Sequence, residues 1–214
     1  MKFFLDTEFY ENGSTIDLIS IALVAEDGRE FYAVNREARL DLVSDWLREN
    51  VLVSLPLYGH STWMTRDAIA AELVEFVGES RGYGKNHDFW GYVSAYDWVV
   101  VCQIFGTMMN LPAFWPKHCN DLKQWSEQLG RPKHPTKPSG AHNALVDARW
   151  NRELYAALFE YQKDRERAEY GFSKERLAKA CANVGIDLNC GACASQFFTG
   201  GSQYSHDCKN GSTA

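Results

Sequence analysis

The chain opens with Phe3-Phe4-Leu5-Asp6-Thr7-Glu8, an apolar run that ends in two acids. Such a run predicts a buried strand. Because side chains two residues apart on a strand project from the same face, Asp6 and Glu8 would point in the same direction. Ligands collect at the carboxyl ends of strands in α/β folds. A solvated turn is the alternative interpretation of an isolated Asp-x-Glu, so a functional interpretation needs partners elsewhere in the chain.

The sequence around this run predicts a mixed sheet flanked by helices. Two further strands are expected over residues 15–25 and 30–34, joined by a turn at Asp27-Gly28, and a fourth over residues 87–93. Apolar periodicity and end signals predict helices near residues 40–47, 65–77, 95–105, 121–129, 144–161 and 173–183. The fold class expected is therefore α/β.

Two later segments carry acids that would complete a site with the first pair. Asp97 is the one charged residue in a long apolar stretch, where a carboxylate needs a hydrogen bond, a proton or a cation; its alternative role is to stabilise a helix N-terminus. His142 and Asp147 begin the predicted long helix, where residues five apart diverge by about 140°. They converge only if His142 lies just before the helix, as Ser139-Gly140 favours; otherwise His142 is an ordinary helix-start residue.

Asp6, Glu8, Asp97 and Asp147 supply the four carboxylates that two hard cations require, and cations would cancel the repulsion among them. Together with His142, their order resembles the DEDDh branch of the 3′-5′ exonucleases. That family has Asp-x-Glu on its first strand, an Asp at a strand-to-helix junction and His-x4-Asp on a later helix. The resemblance implies an RNase H-like fold, with a mixed central sheet, flanking helices and here a small C-terminal appendage.

Three longer stretches, residues 4–34, 90–112 and 142–154, resemble the RNase AS group of actinobacterial exoribonucleases. Those enzymes shorten single-stranded 3′ ends of RNA, with a preference for adenylate, so the resemblance implies a 3′-5′ exoribonuclease that releases nucleoside 5′-monophosphates. Relatives that act on DNA make an exodeoxyribonuclease the alternative, and a catalytically idle nucleic-acid-binding module is a second one. The chain departs from the family at Tyr92-Val93-Ser94, where members often carry Asn.

The resemblance also implies a two-metal mechanism with Mg²⁺ or Mn²⁺. Asp6 would bridge the two ions, Glu8 and Asp147 would complete the ion that activates water, and Asp97 would hold the ion at the leaving oxygen. His142 would be the general base, since the ordinary pKa of histidine, about 6.5, suits proton transfer near neutral pH.

Substrate contacts are expected beside these motifs, because single strands are held by stacking and by cations. Aromatic side chains are the stacking candidates and lysines the phosphate-contact candidates, with core packing and solvated loop as the respective alternatives. The predicted contacts are Thr7, Phe9, Trp98, Lys133, Lys137 and Asn143. The net charge of −6 divides into −9 over residues 1–100 and +3 over residues 101–214, which suits an acidic metal site facing a polyanion.

The C-terminal part differs in composition from the rest of the chain. We expect an exonuclease domain over residues 1–165 and a helical, Cys-rich appendage or tail over residues 166–214. Cys-x2-Cys is the usual first half of a zinc site. A structural Zn²⁺ held by Cys190, Cys193, His206 and Cys208 is therefore a hypothesis, and reduced thiols are its alternative.

Composition excludes several other classes of protein. With 45% hydrophobic and 23% charged residues, the chain is neither disordered nor fibrous. It lacks an apolar run of about 18 residues, so we expect no membrane partner. An acid at position 6 comes too soon for a secretory signal, so we expect a cytoplasmic protein. A homodimer is suggested by the related enzymes.

Overall fold

The computed structural model describes residues 1–78, 87–140 and 142–183, and these form a mixed sheet with helices on both faces. The strands are β1 (Lys2–Glu11), β2 (Ile16–Ala25), β3 (Glu30–Asn35), β4 (Trp63–Met64), β5 (Asp88–Gly91) and β6 (Asn120–Asp121). The helices are α1 (Asp45–Asn50), α2 (Arg66–Val77), α3 (Ala95–Ile104), α4 (Leu122–Gln128) and α5 (Ala144–Asn183). The strand order is β4-β3-β2-β1-β5-β6, so the predicted mixed α/β sheet is confirmed.

Strand β1 lies in the middle of this sheet. It pairs antiparallel with β2 along its whole length and parallel with β5 from Lys2 to Phe4. It therefore continues past the end of β5, and its second half carries the Asp-x-Glu pair. The β1–β2 register shifts between Glu8 and Phe9, and such bulges re-aim side chains beside functional sites.

The two faces of β1 pack against different helices. Phe3 and Leu5 belong to a large apolar cluster that also contains residues of α2 and α3, including Leu73 and Val101. Phe4 belongs to a second cluster, in which it meets Ala144 and Ala148 of α5. This alternation follows from the two-residue period of a strand, and it covers both faces of the sheet with helix.

Several helix boundaries follow from local capping. Helix α2 begins where predicted, because the Thr65 hydroxyl accepts a hydrogen bond from the Ala68 N–H. Helix α1 begins later than predicted, at Asp45, because the Ser44 hydroxyl caps it at Leu47 N–H. The predicted break between residues 161 and 173 is absent from α5, which is helical from Ala144 to Asn183.

The chain divides by its internal contacts into two units, residues 1–159 and 160–214. The first unit contains the whole sheet, and the described part of the second is the C-terminal section of α5. In that section, ion pairs three or four residues apart, such as Lys163–Glu160 and Arg165–Glu169, support the exposed helix. Every helix in the described residues is too short or too polar to cross a membrane.

The turn between β5 and α3 contains a strained residue. Val93 has a φ of 58°, in the left-handed region, which is unfavourable for a β-branched side chain. Its neighbour Ser94 is held by a hydrogen bond from its N–H to Asp121 Oδ2 (2.9 Å). The turn therefore fixes the start of α3 at the cost of an unfavourable backbone conformation.

We predict that Val93→Asn increases the free energy of unfolding by about 1 kcal/mol, because asparagine tolerates the left-handed region better than valine. Val93 is about half exposed, so the change removes no core contact. Urea unfolding measures the effect. Val53→Asn is the control, since Val53 is exposed and lies outside that backbone region; an equal gain in both variants would contradict the strain.

Candidate active site

Three carboxylates meet beyond the end of β5. One carboxylate oxygen each of Asp6, Glu8 and Asp147 lies within 4.8 Å of the other two. Asp6 and Glu8 project from the face of β1 that packs against α5, and Asp147 comes from the first turn of that helix. Asp147 is buried, and its Oδ1 receives no hydrogen bond from the described residues. A hard cation would satisfy this set of oxygen ligands.

Asp97 reaches the same pocket from the opposite face of the sheet. Its Oδ1 accepts hydrogen bonds from the Thr7 N–H (2.9 Å) and from the Thr7 hydroxyl (2.6 Å). The Thr7 N–H is available because β1 has already passed the end of β5. Thr7, a predicted substrate contact, therefore anchors the carboxylate of α3 to the central strand, and it also lines the pocket.

His142 and Asp147 come together in the way that the five-residue spacing requires. His142 lies two residues before α5 and has a φ of 69°. Its N–H donates a hydrogen bond to Asp147 Oδ2 (2.8 Å), and both residues line the pocket. The left-handed residue thus turns the chain so that the backbone N–H of His142 meets the Asp147 carboxylate and both residues line one pocket.

Burial raises the pKa of Asp6, Glu8 and Asp97, and neighbouring acids of the cluster raise it further for Asp6 and Glu8. Burial first, and then the charges of Asp97, Glu8 and Asp147, hold the pKa of Asp6 well above its usual range. Burial and the charges of Asp147 and Asp97 raise the pKa of Glu8 to about 8. Burial raises the pKa of Asp97 to about 6, against the hydrogen bonds from Thr7, which lower it. Bound cations would favour the ionised forms of these acids, so the chemistry of the cluster fits a divalent metal site.

The walls of the pocket, about 280 Å³ in volume, combine aromatic rings with one lysine. Phe9 and Tyr96 stack with their centroids 5.7 Å apart and their planes within 8° of parallel. Lys137 Nζ lies 4.8 Å from the Trp150 ring centroid, 5.7 Å from that of Tyr92 and 3.6 Å from Asp147 Oδ1. The pocket therefore offers flat apolar surface and a positive charge beside the acids.

The structure places the remaining predicted contacts differently. Trp98 is 8% exposed and packs against Phe89 in the core. The prediction that Trp98 contacts the substrate is therefore wrong, because this side chain lies on the face of α3 that packs against the sheet. Lys133 is exposed and is not among the lining residues. The Asn143 side chain accepts hydrogen bonds from the N–H groups of Leu145 and Val146 and so caps α5. The predicted zinc ligands lie outside the described residues.

The sequence did not predict several of the lining residues, and Asn151 is the one with a structural role at the site. Asn151 is buried, and its Nδ2 donates a hydrogen bond to the Leu5 carbonyl (2.8 Å), which ties α5 to β1 next to Asp6. Its Oδ1 has no partner in the described residues. The available signal was its position one helical turn after Asp147, which places both side chains on one face of α5.

The mixed sheet and its carboxylate pocket together fit the exonuclease class of nucleases. A family model described as the 3′-5′ exoribonuclease Rv2179c-like domain matches residues 1–159. The chain belongs to this family, and the predicted 3′-5′ exoribonuclease class is confirmed.

Two curated relatives are similar over most of their length. They are the 3′-5′ exoribonucleases Rv2179c and MT2234.1 from two Mycobacterium tuberculosis strains, H37Rv and CDC 1551. Each is 44% identical over 150 residues, which cover 70% of this chain and 88% of the relative.

Among solved structures, the chain is similar to the nuclease domain of 3′hExo, a DEDDh family member bound to rAMP. The identity is 14%, the TM-score is 0.49, and the match covers 74% of this chain and 91% of that one. The cell-death related nuclease CRN-4 matches with 14% identity and a TM-score of 0.47, over 74% of this chain and 63% of that one.

We predict that the metal-free protein loses stability as the pH rises from 5 to 8. Because the pKa of Glu8 is higher in the folded than in the unfolded chain, the folded state holds more protons in this window, and ionisation costs at most about 1.4 kcal/mol per pH unit per group. Chemical unfolding in EDTA measures the slope. Glu8→Gln should flatten it, as should Mg²⁺ or Mn²⁺ added to the wild type.

Glu11→Gln is the control for this measurement, because Glu11 is an exposed acid on the same strand. The assignment is contradicted if Glu8→Gln and wild type keep the same slope in EDTA.

Proposed function

We propose that this protein removes nucleotides one at a time from single-stranded 3′ ends of RNA, releasing nucleoside 5′-monophosphates by two-metal hydrolysis. The observation that carries the proposal is the meeting of four carboxylates and one histidine in a single pocket, delivered by three separate segments of the chain. The family to which the chain belongs supports the same reaction and the same substrate class.

Two Mg²⁺ or Mn²⁺ ions fit the oxygen-only ligand set, with Asp6, Glu8 and Asp147 on one side and Asp97 on the other. When bound, such ions supply positive charge to the scissile phosphate and lower the pKa of a coordinated water. The raised pKa values of Asp6 and Glu8 support this proposal, because the acids are arranged at an energetic cost that divalent charge would remove.

His142 takes the proton of the attacking water. Its side chain is exposed to solvent and lines the pocket, so it reaches both the substrate and bulk water, through which the proton leaves. Its backbone N–H is engaged with Asp147, which fixes the position of the residue without using the ring.

The terminal nucleotide lies between the pocket walls. The stacked pair Phe9–Tyr96 offers a ring face to a base, and Tyr96 is about half exposed. Lys137 is placed to contact a phosphate oxygen. A second pocket of about 410 Å³ shares Tyr92 with the first and is lined by Lys123 and Arg131. The phosphates of the nucleotides that precede the terminal one therefore pass over Tyr92 toward these two cationic side chains.

An assay with RNA and DNA strands of the same sequence tests whether the protein is an exoribonuclease. Labelled at the 5′ end and incubated with Mg²⁺ or Mn²⁺, a single-stranded RNA should shorten in one-nucleotide steps, while the DNA of the same sequence should persist. Shortening of the DNA alone would identify an exodeoxyribonuclease, and tight binding without cleavage would identify a catalytically idle module. Strands ending in adenylate or uridylate test the base preference that the RNase AS resemblance implies.

We predict that His142→Ala lowers kcat by about 10²–10⁴-fold and leaves the fold and Mn²⁺ affinity intact, because it removes the general base and no proposed metal ligand. Single-turnover cleavage of the RNA and Mn²⁺ titration measure the two properties. His118→Ala is the control, since His118 is exposed and does not line the pocket. Activity of His142→Ala near that of wild type would remove His142 from the mechanism.

The homodimer and the cytoplasmic location expected from the sequence remain predictions. Sedimentation of the purified chain tests the first, and fractionation of cells that express it tests the second.

A further inference from the structure

We propose that Trp46 is a positioning residue that sets the orientation of the His142 ring. The proposal rests on the role of His142 as general base. The ring centroids of Trp46 and His142 are 4.8 Å apart and their planes lie at 79°, an edge-to-face contact. Such contacts have a preferred geometry and therefore restrict the rotation of both rings.

The contact matters because little else holds this ring. Within the described residues, the hydrogen bonds of His142 are made by its backbone: the N–H donates to Asp147, and the carbonyl accepts from the Ser54 hydroxyl (3.3 Å). Neither ring nitrogen has a partner among those residues, and the side chain is exposed. The backbone is thus fixed and the ring is free to rotate, except where Trp46 limits it.

The segment that carries Trp46 is itself anchored. Leu47, the next residue, packs against a small core cluster of Ile19, Val43 and Val51. The Trp46 carbonyl accepts a hydrogen bond from Asn50 Nδ2 (2.8 Å). Further along, Asn143 Nδ2 donates to the Ser54 carbonyl (3.4 Å). The connection between β3 and β4 therefore forms hydrogen bonds with the backbone and side chain of the turn at His142 and Asn143. It also places the Trp46 indole beside the His142 imidazole.

The exposure of Trp46 points to function rather than to packing. The Trp46 side chain is 51% exposed, although the opposite side of α1 packs against the apolar cluster that contains Val43 and Val51. A half-exposed tryptophan against a proposed general base either orients the base or stacks on the substrate. The edge-to-face contact with His142 favours orientation, because that interaction already occupies the ring in the free protein.

A double-mutant cycle separates these roles. Trp46→Ala should lower kcat by about tenfold or more, since a misplaced catalytic group is costly, with KM and Mn²⁺ affinity within about twofold of wild type. In the His142→Ala background the same substitution should have no further effect, because its partner is absent. Trp46→Phe keeps an aromatic edge and should restore most of kcat.

Leu57→Ala is the control, because Leu57 is 89% exposed on the same connection, and it should leave kcat unchanged. Thermal unfolding checks that each variant is folded, and Trp46→Leu keeps the apolar bulk of α1 without a ring. The proposal is overturned if Trp46→Ala has wild-type kcat, raises KM alone, or costs the same factor with and without His142. Full activity of the His142→Ala single variant would overturn the premise that His142 is the general base, whereas failure of the wild type to shorten RNA would refute the proposed function itself.

Discussion

Four carboxylates share one partly buried pocket, and their mutual repulsion is the constraint that the surrounding structure has to offset. Burial and neighbouring charge raise the pKa of Asp6 and Glu8, so the acids are held together against their electrostatic preference. The offset comes from direct links to the central strand. Thr7 holds Asp97 by two hydrogen bonds, and Asn151 ties α5 to the carbonyl of Leu5.

The alternation of β1 explains why these links come from two directions. Phe3, Leu5 and Thr7 share the face that meets α3, while Phe4, Asp6 and Glu8 share the face that meets α5. Residues 6–8 of β1 therefore contact Asp97 on one face of the sheet and lie next to Asp147 on the other. A one-residue slip of β1 would exchange the two faces, which would move Asp6 and Glu8 away from Asp147 and Thr7 away from Asp97. The long antiparallel pairing with β2 therefore protects the site as well as the fold.

The parts that could be predicted from the sequence are those with a local cause. The shared direction of Asp6 and Glu8 follows from the period of a strand, and the start of α2 follows from its Thr65 cap. The parts that could not be predicted depend on distant neighbours. In the sequence, a tryptophan that stacks on a substrate cannot be told from one that packs in the core. Only the packing of α3 on the sheet shows that Trp98 belongs to the core.

The continuation of α5 beyond residue 161 is another such case. The sequence predicts the start of a new helix at Ser173, a common N-cap residue, yet the helix runs through Gly171 and through this position to Asn183. Ion pairs such as Arg167–Asp164 occur along its exposed C-terminal section, and their contribution competes with the weak preference of one glycine. A local signal of about 1 kcal/mol was therefore overridden.

The charge distribution implies an order of events at the proposed site. Without cations, the pocket presents the acids of β1, α3 and α5 to an incoming phosphate, and the one lysine that lines it, Lys137, is already drawn to Asp147. A phosphodiester would meet net repulsion there. Two divalent ions would offset the charge of the four carboxylates and would weaken the attraction between Asp147 and Lys137. We therefore expect metal binding to precede productive binding of RNA, because the acids that would oppose the substrate in the metal-free protein would then hold the ions that attract it.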